Sequence, residues 1–239
     1  MLSLVPKPIR LSSGFTLIEL AIVITVISLI IAGIISGRSI VRNATIHRVT
    51  SDIHKFEIAV NTFRDQYQAL PGDMINATDY WSTASIGDGG NSWNPWQYDG
   101  VYAWQHMTYA GILNFPYLTG NAAGGNGPTN CPTVDYIASG GFHFTSAGIL
   151  GFGGYMTGGR YVAGVFTGRE LARIDAKYDD GTPRLGKITG NYAGTSAGGW
   201  SCTCASSCDG SGQAAAGATY PATDDIVCWL AKRIIDVTL

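Results

Sequence analysis

The sequence predicts an α+β fold in which one long N-terminal helix packs against a small antiparallel sheet with extended loops. Three observations carry this expectation. A mostly apolar run from Phe15 to Ile35 leads directly into an amphipathic stretch that reaches Tyr67. Residues 142–168 alternate aromatic and β-branched residues with Gly, as in Phe142-His143-Phe144 and Tyr161-Val162-Ala163-Gly164-Val165-Phe166. Gly is abundant, 32 residues with many in the second half, as turn-rich connections require.

The chain of 239 residues is long enough for one ordinary domain plus an extended anchor. Its 15 Lys+Arg against 17 Asp+Glu give no strong positive field, so a nucleic-acid partner is not expected. Charged residues are 13% of the chain, about half the usual share in soluble domains.

Residues 1–14, MLSLVPKPIRLSSG, are basic through Lys7 and Arg10, broken by Pro6 and Pro8, and end in Ser12-Ser13-Gly14. The apolar run that follows is long enough to cross a bilayer core as a helix, at ~1.5 Å per residue. An ordinary secretory signal places its small-residue cleavage site after the apolar core. Here that junction comes before it, so cleavage would remove the leader and leave the helix on the mature chain. Glu19 lies inside this run, where a carboxylate costs on the order of 2.5–3.5 kcal/mol and calls for a partner. A free α-amine at Phe15, on the same or a neighbouring chain, would serve and would set the stagger between packed subunits. A plain anchor has no reason to carry Glu19.

The string Gly14-Phe15-Thr16-Leu17-Ile18-Glu19-Leu20 resembles the processing site of type IV prepilins and type II secretion pseudopilins. The resemblance covers residues 1 to about 40 strongly. It implies cleavage by a prepilin peptidase between Gly14 and Phe15, N-methylation of Phe15, and a role for Glu19 in assembly. It further implies other pilin subunits and an inner-membrane assembly platform as partners, and a type IV pilus or type II secretion pseudopilus as the product. Residues 1–14 are then a leader, 15–36 a transmembrane helix, 37–70 an amphipathic stem and 71–239 an exported domain. Lys7 and Arg10 on one side of the span face Arg38, Arg42 and Arg48 on the other, so charge alone does not orient it. The leader motif and the clustered cysteines favour a cytoplasmic N-terminus and a periplasmic domain in the bacterial inner membrane. The size and long loops suit a minor or tip subunit.

Beyond the membrane, Val49, Ile53, Phe56, Val60, Phe63 and Tyr67 recur at alternating spacings of four and three. That stripe predicts a helix packed on its own domain; it is short for an intersubunit coiled coil. Gly33 and Gly37 form G-x-x-x-G near the junction. Pro71 and Gly72 stop the helix, and Tyr67-Gln68-Ala69-Leu70-Pro71-Gly72-Asp73 resembles the stem end of pseudopilin-like chains.

In the domain, residues 102–113 are expected to form a second, short helix, and residues 169–178 a third that ends at Asp179-Asp180-Gly181. Residues 190–220 read as a long loop, and residues 226–230 as a final strand or short helix. Trp81, Trp93, Trp96 and Trp104 are expected in the core; the rival reading is a sugar-stacking surface on a tethered, non-polymerising binding protein or adhesin. Cys131, Cys202, Cys204, Cys208 and Cys228 suit one or two disulfides in an oxidising compartment. A zinc site from the last four lacks the paired knuckles of structural sites. Some pseudopilins bind calcium in a late loop, which makes Asp175, Asp179 and Asp180 calcium candidates; the other reading is a helix cap with solvated acids. No cofactor beyond that is expected. The four His are scattered, and neither a P-loop nor a nucleophile elbow is present, so the chain is not expected to be an enzyme.

Overall fold

The computed structural model describes residues 14–87, 89, 99–114, 132, 134–137, 141–145, 149–153, 156–157, 160–161, 164–183, 185–192, 218–220, 222 and 226–234. The chain divides into two units, Met1–Ala44 and Thr45–Leu239. Helix α1 (Leu17–Tyr67) begins in the first and ends in the second.

In the first unit, the large apolar side chains from Phe15 to Ile35 are all exposed. Among the described residues, α1 is the one helix long and apolar enough to cross a membrane. Two of its hydroxyls, on Thr25 and Ser28, bond back to the helix's own carbonyls. Thr25 Oγ1 donates to the Ala21 carbonyl at 2.7 Å, and Ser28 Oγ to the Ile24 carbonyl at 2.8 Å. Back-bonding of this kind removes the cost of a bare hydroxyl in lipid. Among the described residues, and apart from the adjacent residues and the helix's own backbone, nothing lies within 4 Å of a Cβ built at Gly33 or Gly37, which leaves that strip of the helix open to close approach.

In the second unit, α1 buries Val49, Ile53, Phe56, Ala59, Val60 and Phe63, and Tyr67 is half-buried against them. The apolar stripe is therefore the domain-facing side of the stem, as its spacing predicts. The helix closes with Gln68 at φ 52°, and Gly72 at φ 87° completes the turn in which Asp73 N–H donates to the Leu70 carbonyl. Pro at the second and Gly at the third position is the chemistry of a type II turn.

Two helices and two hairpins follow the stem. Helices α2 (Ala77–Tyr80) and α3 (Asp99–Tyr109) come first. Helix α3 starts and stops earlier than the expected 102–113: Gly111, at φ 70°, ends what the apolar pattern would have carried on. Strands β1 (Gly141–Thr145) and β2 (Ile149–Gly153) form an antiparallel hairpin, with Phe142 opposite Phe152 and Phe144 opposite Leu150. Strands β3 (Met156–Thr157) and β4 (Arg160–Tyr161) pair separately.

After β5 (Phe166–Thr167) comes α4 (Gly168–Tyr178), then β6 (Ile188–Tyr192) and β7 (Ile226–Arg233). Strand β7 is the spine of the five-stranded sheet. It pairs β2 over Leu230–Arg233, β5 over Ile226–Cys228, and β6 over Cys228–Lys232. Cys228 faces both Phe166 and Tyr192 in register, so β6 takes one edge of β7 while β2 and β5 share the other. The segment expected as a loop from residue 190 thus begins inside a strand.

Register places Phe142, Phe144, Leu150, Phe152, Phe166, Ile188, Cys228, Leu230 and Lys232 on one face of this sheet. All but Lys232 are buried. The stem reaches this face through Phe56, whose ring meets Phe142 edge-on at 4.8 Å and Trp104 at 4.9 Å. Aromatic contacts continue from Trp104 to Phe144 and from Phe142 through Phe152 to Phe166. Such pairs add to the burial of their area. The one cation on the face is matched: Lys232 Nζ donates to Glu57 Oε2 at 2.6 Å. Burial raises the Glu57 carboxyl, but the bonds and charges of Lys232 and His54 outweigh it and hold the group below its usual range.

Candidate processing and assembly site

Gly14, Phe15 and Thr16 precede α1 without helical structure, and all three are exposed, Phe15 at 83%. Helix α1 opens with a reciprocal cap. Thr16 Oγ1 accepts the Glu19 N–H at 3.3 Å, while Glu19 Oε2 accepts both the Thr16 N–H and its hydroxyl at 2.8 Å. The first helical bond, from Leu20 N–H to the Thr16 carbonyl, follows at once. This is a capping box, Thr-x-x-Glu, which satisfies two of the backbone donors left bare at a helix start.

With residues 1–14 attached, the Phe15 nitrogen is a peptide N–H and Glu19 bonds Thr16; the free amine expected as its partner belongs to the cleaved chain. The same box recurs at α4, where Thr167 and Glu170 exchange bonds of 3.2 and 2.9 Å. Both are legible as S/T-x-x-E, a signal the sequence reading did not use.

Asp175, Asp179 and Asp180 come together as their spacing suggests, each offering a carboxylate oxygen within 4.8 Å of the others. Their oxygens have protein partners. Asp175 accepts the Gly181 N–H at 3.1 Å and the Tyr220 hydroxyl at 2.6 Å. Asp179 accepts the N–H groups of Lys187 and Ile188, and Asp180 that of Thr182. Asp179 therefore ties the end of α4 to the start of β6, while Asp175 and Asp180 hold the turn after the helix and Tyr220. Gly181, at φ 77°, supplies the left-handed residue after the helix. Burial raises the Asp175 carboxyl, and the neighbouring acids add to this against the lowering by Tyr220 and Gly181.

Two histidines lie in the domain core. His106 Nδ1 accepts the Gly72 N–H at 2.9 Å and its Nε2 meets the Ser85 carbonyl at 2.8 Å, so it ties the turn after the stem to α3. Burial lowers its pKa, and the Ser85 carbonyl opposes this. Burial lowers that of His143 further, to about 3. These bonds and this burial give both rings structural positions. Trp104 is buried and Trp81 packs against Phe63, Tyr67 and Tyr109, as core residues do. Trp93 and Trp96 lie outside the described residues, as do Cys131, Cys202, Cys204 and Cys208; Cys228 is buried in β7.

A family model described as the prokaryotic N-terminal methylation motif matches residues 9–35. That span contains Gly14, Phe15, Thr16 and Glu19, the cap and the exposed apolar part of α1. The chain thus carries the type IV pilin and pseudopilin signature. Its long apolar N-terminal helix and small antiparallel sheet fit a pilin-like fold. No curated protein and no solved structure matches it.

Proposed function

We propose that this chain is a pilin-like structural subunit. It is cleaved between Gly14 and Phe15 by a prepilin peptidase, N-methylated at Phe15, and built into a type IV pilus or type II secretion pseudopilus as a minor or tip subunit. The observation that carries the reading is the position of the methylation motif: it ends a non-helical junction and opens an exposed, lipid-length helix. The unassembled subunit sits in the inner membrane as a single-pass protein, N-terminus in the cytoplasm and domain in the periplasm. An inner-membrane assembly platform then draws it into the filament, where the apolar part of α1 exchanges lipid for other subunits. The role is mechanical rather than catalytic, supported by a motif that belongs to structural subunits.

The buried half-cystine at Cys228 supports an oxidising compartment, with its partner among Cys131, Cys202, Cys204 and Cys208. We read Asp175, Asp179 and Asp180 as a hydrogen-bonded helix end rather than a calcium site, since both Asp175 oxygens are already engaged. A calcium-dependent rise in melting temperature would reverse that reading. The test of the function is Glu19→Ala in cells: the portion of the chain that is cleaved should be absent from sheared filaments. Equal surface display of wild type and variant would favour a tethered adhesin instead.

A further inference from the structure

We propose that Thr16 is a positioning residue for the cleavage reaction: its capping box ends α1 immediately after the Gly14–Phe15 peptide and keeps that peptide unwound for the peptidase. The inference rests on the reading that the chain is cleaved there. It concerns what prepares the bond, which the motif match does not address.

The physical case starts from the sequence C-terminal to the cap. Leu17 onward is uninterrupted apolar helix, and in lipid every unsatisfied N–H is costly. Such a helix gains by extending backwards, because each added residue supplies carbonyls to bare N–H groups. Phe15 is an ordinary helix residue and Gly14 a weak one, so neither is a firm stop. A peptide wound into the helix has its backbone groups turned inward and is a poor protease substrate, whereas exposed irregular chain is a good one.

The structure shows what holds the boundary. The Thr16 hydroxyl and the Glu19 carboxylate satisfy each other's backbone N–H, so the helix no longer gains by recruiting Phe15. The Thr16 hydroxyl also donates to the same carboxylate, which fixes both side chains in the capping geometry. Gly14 and Phe15 are left non-helical, and among the described residues other than its chain neighbours nothing lies within 4 Å of a Cβ built at Gly14. The scissile bond therefore lies one residue before the cap, on exposed chain.

The experiment measures initial cleavage rates of the full-length chain in detergent by a purified prepilin peptidase, with mass spectrometry locating the cut. Thr16→Val keeps the branched shape and removes the hydroxyl; its rate should fall about fivefold, the factor by which loss of a side-chain cap shifts a helix-end equilibrium. Thr16→Ser restores the cap and should stay within about twofold of wild type. Glu19→Gln also closes a capping box and should be cleaved normally, although it lacks the charge. Thr16→Val cleaved at the wild-type rate would overturn the proposal, as would Thr16→Ser or Glu19→Gln being as slow as Thr16→Val. An uncleaved wild type sinks the functional reading itself, so the two failures are distinct.

Discussion

Replacing Phe56 with alanine removes the ring through which the stem grips the sheet. Phe56 is 8% exposed and sits edge-on to Phe142 and Trp104 at interplanar angles of 70° and 78°. Phe→Ala in a packed core costs ~3–5 kcal/mol, a range that already contains most of the gain from aromatic pairing. Taking ~4 kcal/mol, and ~2–4 °C per kcal/mol for a domain of about 200 residues, the melting temperature should fall by ~10 °C. Ile58, two residues on along the same helix, is 53% exposed and is the natural control. Ile58→Ala should stay within ~0.5 kcal/mol of wild type, or ~1–2 °C. Near-UV circular dichroism of the detergent-solubilised chain reads both, since the aromatic cluster supplies the signal. Equal shifts for the two variants, or a fall under ~3 °C for Phe56→Ala, would refute the packing of the stem described above.

Lys232→Met should destabilise the domain by ~1–3 kcal/mol, because it leaves the Glu57 carboxylate half-buried beside His54 alone; pairing it with Glu57→Gln should recover part of the loss in the same melts, and no recovery would mean the two residues are not coupled. Stability should also fall on the acid side. His106 and His143 are held neutral in the folded chain, so their contribution is present above the ordinary histidine value of 6.5 and is lost as pH falls toward the folded values, about 3 for His143. Each proton bound only by the unfolded chain gives a slope of ~1.4 kcal/mol per pH unit. Asp175 acts with the opposite sign, since its raised carboxyl gains stability on protonation as pH falls through its folded value. Urea midpoints that stay flat from pH 7 to pH 4 would contradict the buried neutral histidines.

Much of this architecture was legible because its signals are local. The stripe from Val49 to Phe63 announces its buried face by spacing, and Leu70-Pro71-Gly72-Asp73 announces its turn by composition. Gly14, Phe15 and Glu19 were readable as a motif for the same reason. Strand β6 was not, because Gly190 and Asn191 carry no strand propensity and the strand exists only by pairing with β7, distant in sequence. Helix α3 begins at Asp99-Gly100, a pair that reads as a turn; a Cβ at Gly100 would lie 2.4 Å from the Phe144 carbonyl oxygen, so tertiary packing and not propensity decides its place. The contacts Lys232–Glu57 and Tyr220–Asp175 likewise join residues far apart in the chain. Thr16 differs in kind: its capping role shows in the sequence only as the local pattern Thr-x-x-Glu, since its bonds to Glu19 lie three residues away on the same backbone.

The most direct test of the account is the mass of the mature N-terminus, taken from chain purified out of its native membrane. The account predicts a chain that begins at Phe15 and carries one added methyl group on its α-amine. A mature chain that keeps residues 1–14, or one cut after the apolar run, would contradict it.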